Sequence, residues 1–194
     1  MHKPNMERHL EKTIKKCLKN DRQAQFDLYQ LSFEHLMRTC RRYKRNREDA
    51  VSLVNDGFLK VLLHLETYDN ERDFFAWAST IMVRTAIDDY RKNKAYKEET
   101  DLKDSDVDLE VLSLKKGHDQ IIEQLTAEEI QDMIFSLPEH ERLVFNLYES
   151  EGYQHREIAE KLNVTERTTK RYLKAAKLKL KKMIEAHSDL KKVI

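Results

Sequence analysis

Apolar positions along this chain recur at spacings of three and four, the period of helices with one buried side. In FDLYQLSFEHLMRTCRRYKRN they fall at Phe26, Tyr29, Phe33, Leu36, Met37 and Cys40, which predicts one helix with a single apolar stripe. A second helix is expected to start near Glu48 or Asp49, acids suited to the positive end of a helix dipole. Its apolar side is Val54, Phe58, Val61, Leu62 and Leu65. The polar stretch TYDNERDF then reads as a loop, with Asp69 and Asn70 as turn or cap residues. A third helix, FFAWASTIMVRTAIDDYRKNK, stacks Phe74, Trp77, Ala78, Ile81 and Met82. Residues 21–97 are therefore expected to form a bundle of three to four helices around one tryptophan, preceded by an N-terminal extension over 1–20.

The pattern lapses in KEETDLKDSDVDLEVLSLKKGHDQ, an acidic stretch without a sustained apolar stripe, and 98–124 reads as a flexible linker. Periodicity resumes over 125–186, leaving 187–194 as a tail. Thr126 followed by Glu129 is a capping-box pattern. In SLPEHERLVFNLYESEG, Ser136 is a cap candidate, Pro138 sits in the first turn, and Leu143, Val144, Leu147 and Tyr148 form the stripe that Gly152 closes. A short helix then ends at Leu162 with Ile158, Ala159 and Leu162 inward. Asn163-Val164 makes a tight turn in which Asn tolerates the left-handed conformation. Thr165 caps a second helix whose inward face is Thr169, Leu173, Ala176 and Leu180. The small Ala159 lets the two helices cross steeply, as in a helix-turn-helix. The expected fold class is all-α: two small helical domains joined by a flexible acidic linker.

Composition agrees with this reading. Of 194 residues 40% are hydrophobic and 37% charged, with only three Gly and two Pro. The net charge of +1 hides segregation. Residues 1–97 carry 20 basic and 14 acidic side chains, residues 98–132 carry 3 and 12, and residues 165–192 carry 10 and 3. Basic ends around an acidic middle concern partners more than fold. Arg38, Arg41, Arg42, Lys44, Arg45 and Arg47 form a basic run with no acid among them. Cys17 and Cys40 have no partner at disulfide-framework or zinc-ligand spacing and read as small core residues. No apolar run approaches a membrane span or signal core, so a cytoplasmic location is expected. No Gly-rich phosphate loop, HExxH or Ser/His/Asp arrangement appears among the scattered histidines. His64 and His155 read as surface or packing residues. No enzyme activity, cofactor, metal or small-molecule substrate is expected.

The lysine-rich segment from Thr165 on acquires a function from its context. A recognition helix enters the major groove with its N-terminal residues on base edges and cations beside the phosphates. The inward face leaves Arg167, Thr168, Lys170, Arg171, Lys174 and Lys177 outside. Arg167 and Arg171 could offer guanidinium forks to guanine or phosphate, while the lysines suit phosphates.

Residues 136–182, SLPEHERLVFNLYESEGYQHREIAEKLNVTERTTKRYLKAAKLKLKK, resemble region four of bacterial sigma factors of the extracytoplasmic-function (ECF) class, a class of the sigma-70 family. NREDAVSLVNDGFLKVLLHLETYDNERDFFAWASTIMVRTAIDDYRKNKAY resembles region two of the same class. The order and the acidic spacer also match, and together the resemblance spans most of the chain. It implies a protein that binds core RNA polymerase and directs promoter-specific initiation, region two opening and reading the minus-ten element and region four reading the minus-thirty-five element.

Carried over by position, the polymerase-binding surface would include Asp49, Ser52, Leu53, Asn55, Asp56 and Lys60; for Leu53 core packing is the equal alternative. The minus-ten surface would include Asn70, Arg72, Arg84, Asp88, Arg91 and Lys92, with the Tyr68–Phe74 loop capturing an extruded base. Trp77 belongs to the apolar stripe. Thr165, Glu166, Arg167, Thr168, Lys170, Arg171, Lys174 and Lys177 would face the upstream element. The resemblance also allows for an anti-sigma partner.

This sequence departs from the family at the recognition helix. Where the family commonly has Glu-Gly-Thr-Val-Lys-Ser-Arg, here stand Glu166, Arg167, Thr168, Thr169, Lys170, Arg171 and Tyr172. The polymerase-binding pair is Asn55-Asp56 rather than Gln with Glu or Asp. A free-standing helix-turn-helix regulator and a helical protein that binds acidic partners remain alternatives.

Overall fold

The computed structural model describes residues 3–98 and 125–192, with side chains over 8–93 and 125–187. The expected linker lies, apart from Glu98, outside the described residues. Among the described residues all regular structure is helical, in two compact units, 1–97 and 98–194.

The first unit holds α1 (Lys3–Cys17), α2 (Arg22–Arg41), α3 (Arg47–Leu63), a 3-10 turn (Leu65–Thr67) and α4 (Phe74–Glu98). Local signals set the starts. Asp21 accepts the Ala24 amide at 3.0 Å, Asn46 the Asp49 amide at 2.7 Å, and Asp73 the Ala76 amide at 2.7 Å. The core joins Leu28, Leu36, Val54, Val61, Phe74 and Met82, all nearly inaccessible. Gly57 faces Met82 so closely that a Cβ there would lie 2.4 Å from the Met82 thioether sulfur. Cys17 and Cys40 are free and buried, as expected, and burial pushes their thiols up to about 11 and about 12, which leaves them protonated.

Two expectations change here. The segment read as an N-terminal extension is a helix of this unit, since Ile14 and Cys17 of α1 enter its core. In α2 the buried side is Ala24, Leu28, Ser32, Leu36, Met37, Thr39 and Cys40, whereas Phe26 is 54% exposed. Ser32 and Thr39 can occupy that side because their hydroxyls have partners. Ser32 donates to the Leu28 carbonyl at 2.7 Å and Thr39 to the Ser79 hydroxyl at 3.3 Å.

The second unit holds α5 (Ala127–Phe135), α6 (Glu139–Phe145) continued by a π-helical turn (Asn146–Ser150), α7 (His155–Leu162) and α8 (Glu166–Lys192). The Thr126–Glu129 capping box forms as read, with bonds of 3.1 and 2.8 Å. Gly152 has φ 75°, consistent with its place at a helix end. Ser136, however, ends α5: its hydroxyl donates to the Met133 carbonyl at 2.6 Å, and Pro138 occupies the position before α6. A serine two residues before a proline-led helix satisfies the preceding helix's last carbonyls instead. Helix α8 continues through the expected tail to Lys192.

Candidate nucleic-acid and polymerase interfaces

The α7–α8 corner is assembled by three local devices. The Gln154 amide donates to Glu157 at 2.7 Å, fixing the start of α7. Asn163 takes φ 52° and ψ 51°, reversing the chain, and the Val164 amide returns to the Ala159 carbonyl at 3.1 Å. Thr165 then accepts the Thr168 amide at 3.1 Å, opening α8. Ile158, Ala159 and Leu162 of α7 and Leu173 and Ala176 of α8 are buried, which holds α8 with its opposite side outward.

Thr169 is fully buried, as its inward position requires, and its hydroxyl finds the partner a buried polar group needs. It donates to the Glu166 carbonyl at 2.9 Å and meets His155 Nδ1 at 3.2 Å. His155 also stacks on Tyr148, with ring centroids 4.6 Å apart. Burial, then the charge of Lys170, hold the His155 pKa below its ordinary value. His155 is thus a packing residue that ties α7 to α8.

The expected contacts on α8 divide by availability. Thr165, Glu166, Arg167, Lys170 and Lys174 are exposed, while Thr168, Arg171 and Lys177 are half-buried. Lys170 pairs with Glu166 at 2.6 Å, and that hydrogen bond lowers the Glu166 pKa. Lys177 pairs with Glu149 of the π turn at 2.6 Å and lies over the Tyr148 ring. Arg171 lies 5.5 Å from the Tyr172 ring centroid. Arg167 stands exposed in the first turn, where a groove-reading side chain belongs. Tyr172, a departure from the family pattern, packs against His140 of α6 with centroids 4.4 Å apart.

In the first unit, Asn70 and Arg72 line one cleft of about 380 Å³ with Tyr68 of the loop, Phe74 and Phe75 at the start of α4, and Leu10, Glu11 and Ile14 of α1. Tyr68 donates to the Arg72 carbonyl at 2.5 Å and packs edge-on to Phe74. Burial, with Asp73, Asp69 and Glu11 nearby, raises the Tyr68 pKa, so its hydroxyl remains a donor. Trp77 packs on Tyr68 and Phe74 at 5.1 and 5.9 Å and is half-buried. Arg84, Asp88, Arg91 and Lys92 are exposed along α4.

Along α3, Asp49, Ser52, Asn55 and Asp56 are exposed and Lys60 half-buried. Asn55 accepts the Tyr29 hydroxyl at 2.8 Å. Lys60 and Asp88, placed on different surfaces by sequence, bond to each other at 2.9 Å. Leu53 is 3% exposed and belongs to the core, so it offers no docking surface: its neighbours Ala50, Val54 and Gly57 are buried with it. Two leucines that sequence reasoning left unassigned are exposed on α3 instead. Leu59 and Leu63 are 59% and 70% exposed, four residues apart and in step with Asn55 and Ser52. Their signal was present in FLKVLLHL, which has more leucines than one buried stripe needs.

The ECF sigma factor family model matches residues 7–186, across both units. The chain belongs to the ECF sigma factor family. It is 24% identical to the ECF RNA polymerase sigma factor SigW of Bacillus subtilis over 192 residues, covering 92% of this chain and 98% of SigW. It is 35% identical to the RNA polymerase sigma factor SigV of the same organism over 78 residues, 40% of each chain. Among solved structures, the sigma factor RpoE in complex with the anti-sigma factor NepR from Bartonella quintana matches 81% of this chain and 94% of that one, at 16% identity and a TM-score of 0.49. As a sigma factor the protein serves promoter-specific transcription initiation by RNA polymerase, a regulatory rather than a catalytic role. No helix among its described residues is long and apolar enough to cross a membrane.

Proposed function

We propose that this sigma factor divides its work between the two units. The first docks on core RNA polymerase through the α3 face of Ser52, Asn55, Asp56, Leu59 and Leu63, and engages the minus-ten element through the Tyr68–Phe74 loop and outer α4. The second reads the minus-thirty-five element with the start of α8. The observation that carries this reading is the helix-turn-helix itself: Asn163 and Thr165 fix a corner that leaves Arg167 exposed in the first turn of α8. The half-buried aromatic ring of Phe75 and the amide of Asn70, both in the 380 Å³ cleft, suit an unstacked base. Each unit offers a limited charged surface, so promoter affinity arises when polymerase holds both at once and their contributions combine through effective concentration.

Run-off transcription with purified core polymerase over a genomic promoter library tests this. The expected result is initiation from a defined promoter set only when the protein is added. With Arg167→Ala, use of those promoters should fall by about tenfold or more, the worth of one good base contact, while core binding is unchanged. The proposal fails if no promoter responds, or if the protein binds its duplex site equally well without polymerase.

A further inference from the structure

Six cations between Arg38 and Arg47 stand without an acid among them, and the fold accounts for only some. Arg38 and Arg41 lie in the last turn of α2, at the negative end of its dipole. Arg42 is half-buried, and Lys44 bonds to Asp89 of α4 at 2.5 Å. Arg45 and Arg47 have no such reason. Both are exposed, and neither has an acidic partner among the described residues. Arg47 opens α3, where a cation opposes the helix dipole, and it forms no ion pair with Glu48 or Asp49, which follow it in the same turn. Two exposed guanidinium groups, Arg45 in the loop and Arg47 at the start of α3, make no ion pair among the described residues and stand open to a partner outside the chain. The Lys44–Asp89 bond sets this loop beside the C-terminal half of α4, two and three residues before Arg91 and Lys92.

We propose that the α2–α3 corner, through Arg45 of the loop and Arg47 at the start of α3, is a further DNA-binding element that grips backbone phosphates of the promoter next to the α4 surface. The inference rests on the promoter-binding reading above. Guanidinium groups on an exposed loop suit phosphates, which position a protein without reading sequence. Charge continuity with α4 favours nucleic acid over an acidic protein surface.

The test is the salt dependence of promoter binding by holoenzyme formed from the full chain and core polymerase. The Arg45→Ala/Arg47→Ala variant should lose about 1.4–1.8 from the slope of log affinity against log salt, the counterion release from two phosphates of single- or double-stranded DNA. The loss should be equal on matched and minus-ten-scrambled promoters, and Arg45→Lys/Arg47→Lys should restore the slope. An unchanged slope while wild type binds its promoter overturns the inference alone. Loss of core-polymerase binding in the alanine variant overturns it too, in favour of an acidic protein contact. Failure of wild-type holoenzyme to bind any promoter overturns both this inference and the function it rests on.

Discussion

The first unit buries long aliphatic and aromatic side chains from four helices, while the second packs short helices against the long α8 around a smaller core and ties them with polar contacts. Phe74, Leu28, Leu36 and Met82 are almost inaccessible in the first. In the second, Val144, Leu147, Ile158 and Ala176 share the interior with Thr169, and with Glu141, whose carboxylate accepts from Lys179 at 2.6 Å. A small domain buries a smaller fraction of its surface, so each cap and buried hydrogen bond weighs more in its stability. Burial area should therefore dominate substitutions in the first unit, and backbone and polar geometry those in the second.

The largest effect is expected at Phe74. Removing a ring that is 2% exposed and packed on Tyr68 and Trp77 leaves a cavity worth about 3–5 kcal/mol. The single tryptophan, Trp77, reports this unit alone in urea unfolding. Phe74→Ala should move the Trp77 fluorescence midpoint strongly and leave the helix signal of the second unit in place. If both signals shift together, the units are coupled and the comparison breaks.

An effect of about 1 kcal/mol is expected at Asn163, which holds a left-handed conformation that Ala adopts poorly. Asn163→Ala should lower the circular-dichroism midpoint of the second unit and weaken minus-thirty-five binding, whereas Asn163→Gly should do neither. Equal loss from both substitutions would mean that the side chain, not the backbone, sets the corner.

These contrasts also explain what was legible in the sequence. The helix-turn-helix was readable nearly residue by residue because its determinants are local: a cap at Thr165, a turn at Asn163 and a small residue at Ala159. Helix α1 was not, because Ile14 and Cys17 declare themselves core only once α2 is beside them. The shift of the α2 stripe away from Phe26 depended on hydroxyls that find carbonyl and hydroxyl partners, which hydropathy counts as polar. For Leu53 two readings stood side by side, and the core one holds because a carried-over position does not reveal which face of α3 turns inward; the exposure of Leu59 was hidden for the same reason. Lys177 read as an open cation because Glu149, its partner, lies 28 residues earlier in the chain.

The smallest predicted effect sharpens the comparison through two histidines. Burial holds His155 below the ordinary 6.5; Lys170 and Lys177 add to the depression, and Glu166 opposes it. His35 in the first unit is depressed likewise by burial, with Arg38 and Arg42 adding and Asp73 opposing. A base that titrates lower when folded takes up its proton first in the unfolded chain. Its stabilisation is complete above 6.5 and is lost as pH falls from there through the folded value. Glu166, itself lowered from 4.5, acts only below that range, so a descent from about pH 7 to about pH 5 isolates the histidines. His155→Gln should flatten the pH dependence of the second unit's helix signal and leave that of Trp77 fluorescence unchanged; His35→Gln should do the reverse. Protonating His155 burdens the ring that meets Thr169 Oγ1 at 3.2 Å, whereas His35 meets the Ser79 hydroxyl at 3.1 Å within the larger core. If polar ties matter more in the smaller unit, its slope is the steeper of the two, and a steeper slope in the Trp77 signal would contradict that division.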